Sequence, residues 1–157
     1  MTLQDLIAWL RGGRRLGLHG KDIELSKNMQ ALPEIWKNSL LVVDDNPAVR
    51  DLLDRVLSRF GQVTTAQNGE VALGEIEQRF FNVILSDVDM PVLDGLSLLR
   101  HAVKKEPRLR SHFILCTGNL SPDVVRTVEE HNVRLLEKPV TIQAIGEAVQ
   151  DVLLKSL

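Results

Sequence analysis

The sequence predicts an α/β fold built on a parallel sheet, and three observations carry that prediction. Short apolar runs alternate with amphipathic stretches five times after residue 39. The apolar runs are four to seven residues long, the length of buried strands, and the amphipathic stretches have helical spacing. Polar residues then gather at the ends of the apolar runs, where open parallel sheets build their sites.

Taken in order, "LLVVD" (40–44) reads as the first buried strand. In "NPAVRDLLDRVLSRF", Val49, Leu52, Leu53, Val56, Leu57 and Phe60 recur at helical spacing. Asn46 suits the N-cap, Pro47 the first helical position, and Gly61 is expected to end the helix. "QVTTA" (62–66) is the second strand and "NGEVALGEIEQRF" (68–80) the second helix. "NVILSD" (82–87) is the third strand, followed by the helix "GLSLLRHAVKK" (95–105). Asp94, just before Gly95, reads as a cap or turn residue. "HFILCTG" (112–118) is the fourth strand, and "SPDVVRTVEEH" (121–131) opens with a Ser cap and a Pro at the first helical position. "VRLLEKP" (133–139) is the fifth strand, and "TIQAIGEAVQDVLLKSL" closes as an amphipathic helix. Right-handed crossovers between parallel strands leave few topologies for this series.

The composition fits one ordinary domain plus an extension. The chain has 157 residues, 44% hydrophobic and 25% charged, with a formal net charge of −2. Nothing in that balance points to nucleic acid or an anionic membrane, and no apolar stretch is long enough to span a bilayer. Cys116 is the only cysteine, so an intramolecular disulfide and a cysteine-based zinc site are excluded. A reducing, cytoplasmic compartment is the expectation. Cys116 itself, in an apolar run, reads as a small buried hydrophobe. His19, His101, His112 and His131 share no ligand spacing and read as surface residues.

Residues 1–38 differ from the rest. They hold both tryptophans and the basic stretch "RGGRRLGLHGK", and carry +2 where residues 39–157 carry −4. We therefore divide the chain into an extension, 1–38, and a domain, 39–157. In "TLQDLIAWL", Leu3, Leu6, Ile7 and Leu10 share one helical face, with Thr2 and Asp5 as a capping box. Such a segment packs on its own domain, is partly disordered, or serves in docking or dimerisation. Ile35 and Trp36 are candidates to pack beside the first strand.

The strand ends deliver Asp44-Asp45, Asp87, Thr117-Gly118 and Lys138-Pro139 to one edge; the second strand delivers nothing. Carboxylates this close repel unless a cation offsets them. A few carboxylates with oxygen donors suit Mg²⁺, which keeps waters and bridges to phosphate. A carboxylate can also act as a nucleophile and become an aspartyl phosphate. Phosphoryl transfer needs its charge neutralised, and Lys138 and the Thr117 hydroxyl supply a cation and a donor.

Asp44-Asp45, Asp87 with "DMP" after it, Thr117 and Lys138-Pro139 together resemble the receiver domain of two-component response regulators, over about residues 39–157. The resemblance implies a CheY-like, flavodoxin-like (βα)5 fold, doubly wound in the order 2-1-3-4-5. It makes Asp87 the phosphoacceptor. It gives Mg²⁺ to Asp45 directly, to Asp44 through water, to Asp87 and to the main-chain carbonyl of Asp89. It sets Lys138 against the phosphoryl oxygens, makes Thr117 the switching hydroxyl and makes the Lys138-Pro139 bond cis. The implied phosphodonor is a histidine kinase or a phosphotransfer protein, and the target is an unnamed protein. The fourth helix, fifth strand and fifth helix, or the extension, would serve a homodimer.

Two features depart from that pattern. Leu135 stands where the family has an aromatic residue, so output is expected through the 118–124 loop and the fourth helix. Asp89 and Asn119 stand beside the phosphoryl position, where they set its lifetime. With one helix after Lys138, the reading is a stand-alone switch rather than an enzyme. The competing readings are a haloacid-dehalogenase-like phosphatase, with Asp89 as general acid, and a phosphorylation-independent interaction module on the same fold. The phosphatase order places its acidic metal pair after the lysine, whereas Asp44-Asp45 precede it here.

Overall fold

The computed structural model describes residues 38–156. Five strands form one parallel sheet: β1 (Ser39–Val43), β2 (Gln62–Ala66), β3 (Val83–Asp87), β4 (Phe113–Thr117) and β5 (Arg134–Glu137). Their order is β2-β1-β3-β4-β5, as the resemblance implies. The helices α1 (Pro47–Leu57), α2 (Gly69–Gln78), α3 (Gly95–Lys105), α4 (Pro122–His131) and α5 (Ile142–Lys155) connect and follow them.

Alternation along the strands sorts side chains onto two faces. On one face Leu40, Val42, Leu85 and Ile114 pack with Leu53 and Leu57 of α1 and with Ile145, Val149 and Val152 of α5. On the other, Leu41, Val43, Ile84 and Leu115 pack with α2, α3 and α4 through Ala72, Leu98, Leu99 and Val124. Strands β3 and β4 are buried at every residue. That is why they read as unbroken apolar runs instead of alternating ones.

Each of these five helices starts on a side-chain cap. Asn46, Asn68, Asp94, Ser121 and Thr141 accept bonds from main-chain N–H groups of the first turn. Such a cap contributes about 1 kcal/mol. The expected roles of Asn46, Asp94 and Ser121 therefore hold.

Gly61 does not end α1. The helix stops at Leu57, capped by Ser58 in right-handed geometry. A Cβ at Gly61 would lie 2.1 Å from the Asn38 carbonyl oxygen, so the glycine is needed for the close passage of the chain entering β1. A 3₁₀ helix, Pro107–His112, also precedes β4 where no element was expected. Its imidazole, His112, is half-buried: Nδ1 lies 2.8 Å from the Asn82 carbonyl, and Phe80 meets the ring edge-on. His19 and the expected helix and tryptophan contacts of the extension, up to residue 37, lie outside the described residues.

Candidate functional site

The site forms where β1, β3, β4 and β5 end. Asp44 directly follows β1, Asp87 is the last residue of β3, Thr117 the last of β4, and Lys138 directly follows β5. Parallel pairing lines up these ends, since Asp87 sits opposite Cys116 and Thr117 opposite Glu137.

Asp44, Asp45 and Asp87 converge, with one carboxylate oxygen from each lying within 4.8 Å of the others. Asp44 and Asp87 are only 6% and 7% exposed, whereas Asp45 faces solvent. Three carboxylates at that spacing favour a hard divalent cation, and the oxygen-only donor set suits Mg²⁺. Burial raises the Asp87 carboxyl above the ordinary carboxylate range; Lys138 opposes this, and Asp44 and Asp89 add to it.

The Lys138 ammonium donates to Asp87 Oδ1 at 3.0 Å. Burial by itself would depress the Lys138 ammonium, but the bond to Asp87 and the nearby acids outweigh it and raise its pKa. Its main-chain N–H donates to the Thr117 carbonyl at 2.8 Å, which ties the end of β5 to the end of β4. The Lys138-Pro139 bond is cis.

Thr117 is fully buried. Its hydroxyl oxygen accepts the Asn119 N–H at 3.0 Å and lies 3.1 Å from the Asn119 carbonyl and 3.4 Å from Asp89 Oδ2. Asp89 and Asn119, singled out in sequence, thus both meet the hydroxyl that separates them. Asp94 stands apart, capping α3 through the Ser97 N–H at 2.7 Å. Leu135 is half-buried against the core on the α2–α3–α4 face. Cys116 is buried, and desolvation pushes its thiol up to about 12; it is a core residue.

Three hydrogen bonds and a glycine contact support the acids. The Asn46 N–H donates to Asp44 Oδ1 at 2.8 Å, and the Arg50 guanidinium donates to the Asp44 carbonyl at 2.8 Å. The buried Ser86 hydroxyl donates to the Asp87 carbonyl at 2.8 Å. Gly95 packs on that same carbonyl, since a Cβ there would come within 2.2 Å of it. A cation one turn into the helix after an acidic pair was the available signal for Arg50.

A cleft of about 360 Å³ between α1 and α5 opens on the site, with Asp44, Asp87 and Lys138 in its wall. A larger cleft, about 570 Å³, lies by Phe80, Lys105 and Leu109 and contains none of the converging acids.

A family model described as the response regulator receiver domain matches residues 40–150. The chain belongs to that family. Receiver domains work in phosphorylation-based signalling by two-component systems. The chain is 30% identical over 118 residues to the transcriptional regulatory protein GlrR of Escherichia coli, a match covering 74% of this chain and 26% of that longer protein. It is also 30% identical over 120 residues to a probable chemotaxis protein CheY of Rhizobium etli, covering 74% of this chain and 92% of that one. The solved CheY-like receiver domain from Methanospirillum hungatei superposes with a TM-score of 0.69 at 27% identity, over 76% of this chain and 95% of that one. The chain therefore spans about a quarter of the length of GlrR but nearly all of the CheY relative. Among the described residues of this receiver domain, no helix is long and apolar enough to cross a membrane.

Proposed function

We propose that the chain is a Mg²⁺-dependent signalling switch that takes a phosphoryl group onto Asp87. The observation that carries this reading is the Asp87–Lys138 pair, 3.0 Å apart, set against the converging carboxylates of Asp44 and Asp45. A carboxylate oxygen of Asp87 attacks the phosphorus of a phosphohistidine on a histidine kinase or phosphotransfer protein. The phosphorus–nitrogen bond breaks, and the departing imidazole keeps the electron pair.

Lys138 is placed to follow the phosphoryl oxygens as charge accumulates on them. Asp44, Asp45 and Asp87, with the main-chain carbonyl of Asp89, would hold Mg²⁺. When bound, the ion supplies charge neutralisation for the phosphoryl oxygens. Asn46 and Arg50 keep Asp44 aimed at the same point through its carboxylate and carbonyl.

The switch follows from added charge. A phosphoryl group brings strong acceptors to a pocket that already holds acids. The Thr117 hydroxyl, now turned toward Asn119, rotates to donate to it, and the 118–124 segment and α4 follow. Leu135 has no polar tip to report the change, so α4 and its neighbours β5 and α5 form the surface read by a target protein or a second copy.

The test is incubation with acetyl phosphate and Mg²⁺, followed by intact-mass measurement. The wild type should gain one phosphoryl group; Asp87→Asn should gain none, and a chelator should prevent the gain. An unlabelled wild type would sink the reading.

A further inference from the structure

The wall of the cleft between α1 and α5 changes character with distance from Asp87. Its inner end is polar, with Asp44, Asp87 and Lys138. The rest of its lining is almost wholly apolar and includes Val49, Leu52 and Ile142. Leu52 and Ile142 are each 47% exposed, large apolar side chains in its lining that come one from α1 and one from α5. Isolated apolar residues on a surface need no explanation, but two that line one cleft together with a charged site form a binding surface.

We propose that this cleft holds the leaving group of a small-molecule phosphodonor, and that the preferred donors are acyl phosphates with an apolar tail. The inference rests on the reading of Asp87 as phosphoacceptor. Three features select this occupant. The cleft is continuous with Asp87, so what fills it must present a phosphoryl group there. Its volume, about 360 Å³, accepts an alkyl chain or a ring. Its outer wall offers no charged partner, so the tail must be apolar.

The chemistry balances without a further reactant. An Asp87 carboxylate oxygen forms a bond to phosphorus, and the bond between phosphorus and the acyl oxygen breaks. The departing carboxylate keeps the electron pair, and no proton is needed at neutral pH. In-line displacement sends the leaving group away from the attacking oxygen, and the cleft that holds Asp87 in its wall supplies an apolar lining for it. Contact there is made with the group that departs, so it favours capture of the donor and does not retain the product.

The experiment is a donor series of acetyl, butanoyl and hexanoyl phosphates, whose leaving groups are nearly equal in acidity and differ in apolar length. The readout is the second-order rate constant of phosphoprotein formation by the full chain with Mg²⁺. Half-burial of the tail gives about twofold per methylene, so hexanoyl phosphate, four methylenes longer, should react about fifteenfold faster than acetyl phosphate. Leu52→Asn and Ile142→Asn should each bring that ratio toward one. A flat wild-type series overturns the inference, as does a ratio that both variants preserve. If acetyl phosphate labels Asp87 while the series is flat, only this inference fails. If none of the donors labels the chain, the phosphoacceptor reading fails with it.

Discussion

The centre of the sheet and its β5 edge are built to different standards. β3 and β4 bury every residue, and they carry Asp87 and Thr117. β5 exposes both of its ends, leaves Leu135 and Leu136 half-buried, and is followed by Lys138, whose side chain is 42% exposed. One salt bridge joins the two regions across the site. The contrast teaches where rigidity is placed. The Asp87 carboxylate sits on a strand packed on both faces, whereas the Lys138 ammonium paired with it arrives from a half-exposed edge strand.

The largest effect should come from comparing matched truncations in the two regions. Leu115 and Leu135 are register partners on neighbouring strands, and both pack on the same face. Leu115→Ala should cost about 3 to 4 kcal/mol, since it empties a fully buried position with core on every side. Leu135→Ala should cost about 1 kcal/mol, because a half-buried site at an edge relaxes and rehydrates. Urea denaturation of the two variants measures both. Equal losses would mean that the edge is as tightly built as the centre.

A second prediction probes how firmly the centre holds Asp87. Gly95→Ala places a Cβ within 2.2 Å of the Asp87 carbonyl and 2.9 Å of Val88 Cα, both main-chain atoms. Neither can yield as a flexible side chain would, so the backbone at the end of β3 must shift. We expect a loss of about 2 kcal/mol together with weaker Mg²⁺ binding by calorimetry. Lower stability with unchanged Mg²⁺ affinity would show that the pocket tolerates movement of its floor.

This difference also explains what the sequence revealed and what it hid. Buried central strands are unbroken apolar runs, so β1, β3 and β4 stood out, and the polar residues ending them marked the site edge. Asn, Asp and Ser caps act within three residues of themselves, and that locality made Asn46, Asp94 and Ser121 readable. The strand order came from the resemblance, because nothing local says which strands pair. Gly61 was misread because its constraint comes from Asn38, distant in sequence. The 3₁₀ helix at Pro107–His112 is a single short segment with one buried residue, Leu109, and so has no periodicity to detect. Arg50 and Ser86 act on main-chain carbonyls; its place after the acidic pair marks Arg50, but a pattern of side chains does not record the carbonyl either one meets.

The smallest effect should come from the helical layer beside that edge. Arg100 of α3 donates to Asp123 Oδ1 at 2.8 Å and to the Thr127 hydroxyl at 2.7 Å, both on α4. Thr127 is fully buried and also donates to the Asp123 carbonyl. Arg100 and then Arg126 hold the Asp123 carboxyl below its ordinary value. A depressed carboxyl stabilises the fold at pH above its unfolded value, about 4, and the contribution fades as pH falls through the lower folded value. Arg100→Ala should therefore lower the urea midpoint slightly at neutral pH. The gap from wild type should close as the pH falls through the lowered folded value, and added salt should shrink it at neutral pH, since the pair is exposed. A gap that persists in acid would trace the effect to the Thr127 hydroxyl instead, and α4 would then be anchored to α3 by the bond to that hydroxyl and not by the carboxylate.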